Sequence, residues 1–220
     1  MKPALPLAAR LLPALLAFSL LPTLSATSIW INEFHYDNSG TDLDEFVEIA
    51  GTAGANLSGY SVLLYNGNGG ASYGSIALSG TLPNQSNGFG ALAFYKSSIQ
   101  NGSPGGDGLA LIDSSNAVLQ FLSYEGSFAA SGGAASGRTS EDIGVFESSS
   151  TPVGHSLQLV GHGSTYGAFT WTGPVNSSPG ELNAKQTFEP VPDSGSALSL
   201  GAISLVGLVA FRRLQKRSAR

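Results

Sequence analysis

The densest set of chemically capable side chains is Asp37, Asn38, Asp42, Asp44, Glu45 and Glu48, within twelve residues around a Gly-containing turn. Hard oxygen ligands on a loop suit Ca²⁺, and Asp37, Asp42, Asp44 and Glu45 are the candidate ligands. The spacing departs from the EF-hand pattern, so solvated loop carboxylates are the favoured reading and no cofactor is required. The same acidic loop, 37–48, is where a metal-dependent hydrolase of nuclease or phosphatase type would place its metal. Gly70-Ala71-Ser72-Tyr73-Gly74 has the spelling of a nucleophile elbow, but the strand–turn–helix that the motif needs is not expected there. His35, His155 and His162 do not form a His-Glu-x-x-His zinc site. His35, beside the acidic loop, could join a metal or hydrogen-bond cluster, and a structural or surface imidazole is the favoured reading. The chain has no Cys, which excludes disulfides, thiolate metal sites and a Cys nucleophile. With no phosphate clamp and no convergent His/Asp set, no catalytic residue is assigned and a non-enzyme is expected.

Charge narrows the partners. The chain has 220 residues, 10 Lys and Arg, and 15 Asp and Glu. Between residues 27 and 190 only Lys96, Arg138 and Lys185 are basic, against fourteen carboxylates, a balance of 3 − 14 = −11. A body of that sign repels phosphate, so nucleic acid is not an expected partner.

The basic residues gather at the two ends. Lys2 and Arg10 precede or open an apolar run, Leu11–Leu21, and Thr23–Ser28 is mostly small. This reads as a signal peptide over 1–26, since the run is far short of the ~20 residues of a bilayer span. The far end has three parts in order: Val191-Pro192-Asp193-Ser194-Gly195, an uncharged apolar stretch over 196–211, and a 212–220 tail with Arg212, Arg213, Lys216, Arg217 and Arg220. The middle part reads as a marginal transmembrane helix. The basic cluster holds the C-terminus in the cytoplasm and the body outside.

The body reads as all-β. Short β-branched or aromatic runs recur at Ile29–Phe34, Glu45–Ala50, Tyr60–Tyr65, Ser75–Leu78, Gly90–Tyr95, Leu109–Asp113, Ala117–Tyr124, Ser156–Val160 and Ala168–Trp171. Turn residues separate them, and no window has a helical period with caps. Such spacing predicts a sandwich or barrel. Val47 and Ile49 are expected on one face of their strand and Phe46 and Glu48 on the other. Leu57 is expected to plug the core, Glu33 and Glu45 to be candidates for cross-strand pairing, and Trp30 and Trp171 to pack inside. Ala129–Gly137 is expected to be a mobile loop, and Gly180–Pro190 a linker leading to 189–195.

The tripartite tail resembles the sorting tails of exosortase substrates, the PEP-CTERM class, in its VPDSG form. The resemblance implies that an exosortase-type transpeptidase cuts near Val191–Gly195, after delivery by the Sec export machinery. A second resemblance lies in the body. Ile31-Asn32-Glu33-Phe34-His35-Tyr36-Asp37-Asn38, then Asp44-Glu45-Phe46-Val47-Glu48-Ile49, then Leu57-Ser58-Gly59-Tyr60 is similar to the opening of bacterial lamin tail domains. It implies an immunoglobulin-like β-sandwich over 27–188, with no enzymatic domain expected beside it. Together these describe an inner-membrane-anchored precursor that becomes a cell-surface or extracellular-matrix module. Exopolysaccharide or other surface proteins are its expected partners, and Tyr65, Tyr73 and Tyr95 could stack on sugars.

Overall fold

In Ile29-Trp30-Ile31 the apolar side chains alternate between two faces, and the phase then slips before Phe34 and Tyr36. The computed structural model, which describes residues 28–102 and 105–191, shows why. Strand β1 (Ile29–His35) pairs antiparallel with β2 (Phe46–Thr52), and the register shifts between Ile31 and Glu33. Asn32 is the extra residue of a β-bulge, so Phe34 and Tyr36 join Ile31 in the core. Trp30, Asn32 and Glu33 are left on the opposite face.

The remaining strands are β3 (Ser61–Asn66), β4 (Ser72–Ala77), β5 (Phe89–Tyr95), β6 (Asp107–Ile112), β7 (Val118–Tyr124), β8 (Glu141–Asp142), β9 (His155–Gly163), β10 (Phe169–Asn176) and β11 (Gln186–Phe188). One sheet runs β10-β9-β1-β2-β5, with β11 added parallel to β9; the other runs β4-β3-β6-β7-β8. The described residues are therefore all-β in two sheets, as the turn-punctuated sequence predicts. Ser72 lies on a strand that continues as strand, so Gly70–Gly74 is part of a hairpin and not a nucleophile elbow.

Between the sheets Ile31, Phe34, Val47 and Ile49 meet Val62, Leu64, Leu109, Leu111 and Leu122. Leu57 is fully buried among them, and Val47 and Ile49 share this face as expected. Each sheet also has a covered outer face. Trp30, Phe89, Phe169 and Phe188 form an aromatic cluster outside the first sheet. Trp171 is half-buried and packs edge-on against Phe34. Tyr65, Ala110, Phe121 and Phe128 form a smaller cluster outside the second sheet.

Two sequence expectations are corrected by these outer layers. Ala129–Gly137 is not a free loop. Its own Ala130 and Ala135 are buried against Tyr65 and Phe121, Ser131 N–H donates to Gly70 O at 2.8 Å, and Ala135 N–H donates to Tyr65 Oη at 3.0 Å. Small residues are used here because backbone lies directly on backbone: a Cβ on Gly70 (φ +71°) would collide with the Ala129 carbonyl. Nor is 180–190 a linker. Gly161 N–H donates to Lys185 O, Glu189 N–H to Gly163 O, and Val191 N–H to Asn87 O. Phe188 is 3% exposed. The compact unit thus reaches Val191, and this segment straps the outer face of the first sheet.

The signal peptide over 1–26, the sorting motif beyond Val191, the transmembrane stretch over 196–211 and the basic tail over 212–220, all expected from the sequence, lie outside the described residues. No helix among the described residues is long and apolar enough to cross a membrane.

Candidate functional site

Antiparallel pairing brings several strand ends to one place. His35 ends β1 opposite Phe46, which starts β2 opposite Tyr95 at the end of β5. His155 starts β9 opposite Asn176 at the end of β10. The acidic loop, the 96–101 segment and the 143–155 loop therefore crowd one end of the sandwich.

Glu147 organises the interior of that end. Its carboxylate accepts from His35 Nδ1 at 2.9 and 3.0 Å, from Tyr36 N–H at 2.7 Å and from Asp37 N–H at 3.1 Å. The other ring nitrogen of His35 faces Asn38 Oδ1 (3.2 Å) and Leu43 O (3.1 Å). Acceptors on both sides favour the imidazolium. Burial alone would lower the His35 pKa, but the hydrogen bonds and charge of Glu147 carry it upward. His35 is thus the structural imidazole expected, and its partner lies 112 positions away. Tyr36 Oη accepts from Glu147 N–H at 2.7 Å and donates to Glu125 Oε1 at 2.9 Å. Burial, with both carboxylates near, drives the Tyr36 pKa up, so the phenol stays protonated.

The four candidate calcium ligands do not converge, and they are not all the solvated loop carboxylates that the sequence favours, since Asp37 and Glu45 are buried. Asp42 Oδ1 accepts from Asn38 N–H (3.2 Å) and its Oδ2 from Asn101 Nδ2 (3.2 Å). Glu45 is buried and accepts from Ile99 N–H at 3.2 Å. Asp44 is exposed, with φ +59° at the turn into β2. Asp37 is buried, and that burial, followed by the nearby charge of Asp42, pushes its pKa up to about 6. Among the described residues no group of three or more His, Asp or Glu is placed to hold a metal ion. The loop is instead a hydrogen-bonded cap.

The cross-strand partner of Glu33 is Glu48, not Glu45. Both carboxylates are fully buried under the strap and are held by neutral donors. Glu33 accepts from Ser156 Oγ (2.7 Å), Ser178 N–H (2.8 Å) and Ser178 Oγ (2.8 Å). Glu48 accepts from Asn32 Nδ2 (2.9 Å) and Gly180 N–H (2.7 Å). Burial raises both pKa values, that of Glu48 strongly. Nothing local in the sequence marks this pair, because Ser178 and Gly180 reach it only through the tertiary fold.

Three cavities open at this end. One of about 490 Å³ lies between the 144–152 loop and Gly173-Pro174. A second, of about 290 Å³, is walled by Leu43, Asp44, Phe46, Tyr95 and His155. A third, of about 470 Å³, lies between Thr41–Glu45 and Ser97–Asn101. Of the tyrosines expected to stack on sugars, Tyr65 is wholly buried and Tyr73 is half-buried, its Oη accepting from Gln100 N–H. Tyr95, on the rim of the second cavity, is 63% exposed.

Comparison with known proteins supplies one match. The model of the VPDSG-CTERM motif matches residues 190–214, an exosortase-type sorting tail that begins where the folded body ends. No curated protein and no solved structure matches the chain.

Proposed function

We infer that this chain is an exported, non-enzymatic surface or extracellular-matrix module, sorted and processed by an exosortase-type transpeptidase. The observation that carries the reading is the VPDSG-CTERM match at 190–214. It abuts a two-sheet body that would remain outside the membrane after processing. A signal peptide over 1–26 and Sec export supply the route, and Arg212, Arg213, Lys216, Arg217 and Arg220 hold the precursor in the membrane until the cut. The body is read as an immunoglobulin-like, lamin-tail-type sandwich. The lamin-like opening and the two stacked sheets support this. Satisfied carboxylates and the lack of a basic clamp around the acidic loop favour binding over catalysis.

Intact mass measurement of the native protein, from surface and medium fractions, tests the reading. A C-terminus between Val191 and Gly195, with or without an added group, is expected. A mass that runs to Arg220 in the membrane fraction would leave a simple anchored ectodomain. Phosphodiester or phosphomonoester cleavage with added Mg²⁺, Mn²⁺ or Ca²⁺, lost in Asp42→Ala, would replace the non-enzymatic reading with the hydrolase.

A further inference from the structure

We propose that the loop end of the sandwich is a binding site for an extended, neutral or amino-bearing oligosaccharide. The proposal deepens the reading of the chain as a non-enzymatic surface module and rests on it. The three cavities adjoin through the residues that line them. The first and second share His155 in their walls, and the second and third meet across Asp44 and Glu45. Separate, adjoining hollows suit a chain of rings better than one compact ligand. Their sizes lie at or near the range of small-molecule sites, about 300–1,000 Å³.

The lining chemistry selects the ligand. A sugar ring offers hydroxyls that both donate and accept, and an apolar C–H face. The Tyr95 ring stands exposed on the rim, backed by Phe46 with ring centroids 5.9 Å apart. An aromatic plane in that position is a stacking platform. Of the five large exposed apolar residues among the described residues, Leu43, Phe146 and Val153 lie on these loops and Tyr95 at the strand end beside them. Around them sit hydroxyls, amides and carboxylates, and no Lys or Arg lines any of the three cavities. Asp42, Asp44 and Glu45 set a negative field that disfavours phosphate- or uronate-bearing chains and tolerates neutral or cationic ones.

A second observation is independent of charge. His155 Nδ1 and Gln100 Oε1 are buried side-chain atoms with no hydrogen-bond partner. One belongs to the wall shared by the first two cavities and the other to the wall of the third. Buried polar groups are normally paired; each of these atoms is shielded from solvent, and a rotation of its side chain in the cavity wall would present it to a ligand hydroxyl that restores the bond. A peptide would pair its backbone with an open strand edge, whereas these orphans are isolated side-chain atoms of residues in separate cavity walls.

The test is calorimetric titration of the full chain in detergent micelles. The probes are neutral hexose oligomers, N-acetylhexosamine oligomers and uronate oligomers, each from mono- to hexasaccharide. Affinity is expected to rise with length for a neutral or amino-sugar series and to be weakest for uronates. Tyr95→Ala is expected to weaken binding about tenfold or more, the effect of truncating an aromatic anchor, and Gln100→Ala severalfold. Leu119→Ala, exposed at a distance from these loops, is the unchanged control. Three results overturn the proposal: no binding by chain with a cooperative melting transition, preference for uronates or for a peptide library, or equal affinity of Tyr95→Ala and the parent. The outcome separates from that of the sorting reading. A native protein that is correctly processed while the purified chain binds no sugar defeats this proposal alone, and sugar binding by the purified chain while the native protein's mass runs to Arg220 defeats the sorting reading alone. Shortening of the oligosaccharide during titration would retire the non-enzymatic reading and leave the site standing.

Discussion

Replacing Phe188 by Ala tests whether the last segment before the sorting motif belongs to the fold. Phe188 is 3% exposed and packs on Phe89, Phe169 and Trp30 at centroid distances of 4.7, 5.3 and 6.3 Å. Truncating a buried Phe costs about 3–5 kcal/mol, through lost transfer free energy and the cavity left behind. For a domain of this size each kcal/mol lowers the melting temperature by roughly 2–4 °C, so a fall of about 6–20 °C is expected. The readout is thermal melting of the full chain, followed by far-ultraviolet circular dichroism and by tryptophan emission. Trp30 lies in the cluster and is 1% exposed, so its emission should shift to the red if the strap detaches locally before the sheets melt. A shift below about 2 °C with unchanged emission would refute the packing argument. The segment would then be the linker its Gly180–Pro190 composition suggests.

Three further outcomes follow from the buried polar groups and the tight turns. Glu147→Ala leaves His35, Tyr36 N–H and Asp37 N–H without their acceptor, and should cost about 3–5 kcal/mol in denaturant titration; a loss below about 1 kcal/mol would mean that water replaces the carboxylate. Glu33 and Glu48 both have folded pKa values above the ordinary carboxylate value of 4.5. Over that interval the folded state binds more protons than the unfolded one, so stability should fall as pH rises from about 4.5 through the folded values. Glu48→Gln should flatten that slope in unfolding curves taken across the interval, and an unaltered slope would assign it elsewhere. Gly70→Ala combines a left-handed φ of +71° with a collision at the Ala129 carbonyl, and should destabilise by about 1–3 kcal/mol; a neutral effect would show that the 129–137 segment lies loosely on its sheet.

Much of this protein is written locally. The strands could be read because period-two alternation and turn residues report on neighbours in the chain, and nine of the eleven were anticipated in type. The two that were missed, β8 and β11, are two and three residues long and pair parallel with strands distant in sequence, so they carry no periodic signal. The sorting tail was legible for a related reason: its meaning lies in linear order, and the family match at 190–214 covers the motif, the apolar stretch and the start of the basic tail.

What the chain does with its carboxylates was decided only in three dimensions. Composition around 37–48 suggested oxygen ligands for a metal, yet residues far away engage Asp42, Glu45 and Glu48. Ile99 and Asn101 engage Glu45 and Asp42, and Glu147 closes on His35 from 112 positions along the chain. The bulge at Asn32 had a trace in the sequence, the slip from Ile29 and Ile31 to Phe34 and Tyr36. Its consequence, Glu33 set against Glu48 beneath Ser178 and Gly180, had none. Likewise Tyr65 and Tyr95 look alike on their strands, but one lies under the 129–137 segment and the other in solvent. Periodicity fixes which face a side chain takes; only the packing of distant segments decides whether that face is covered.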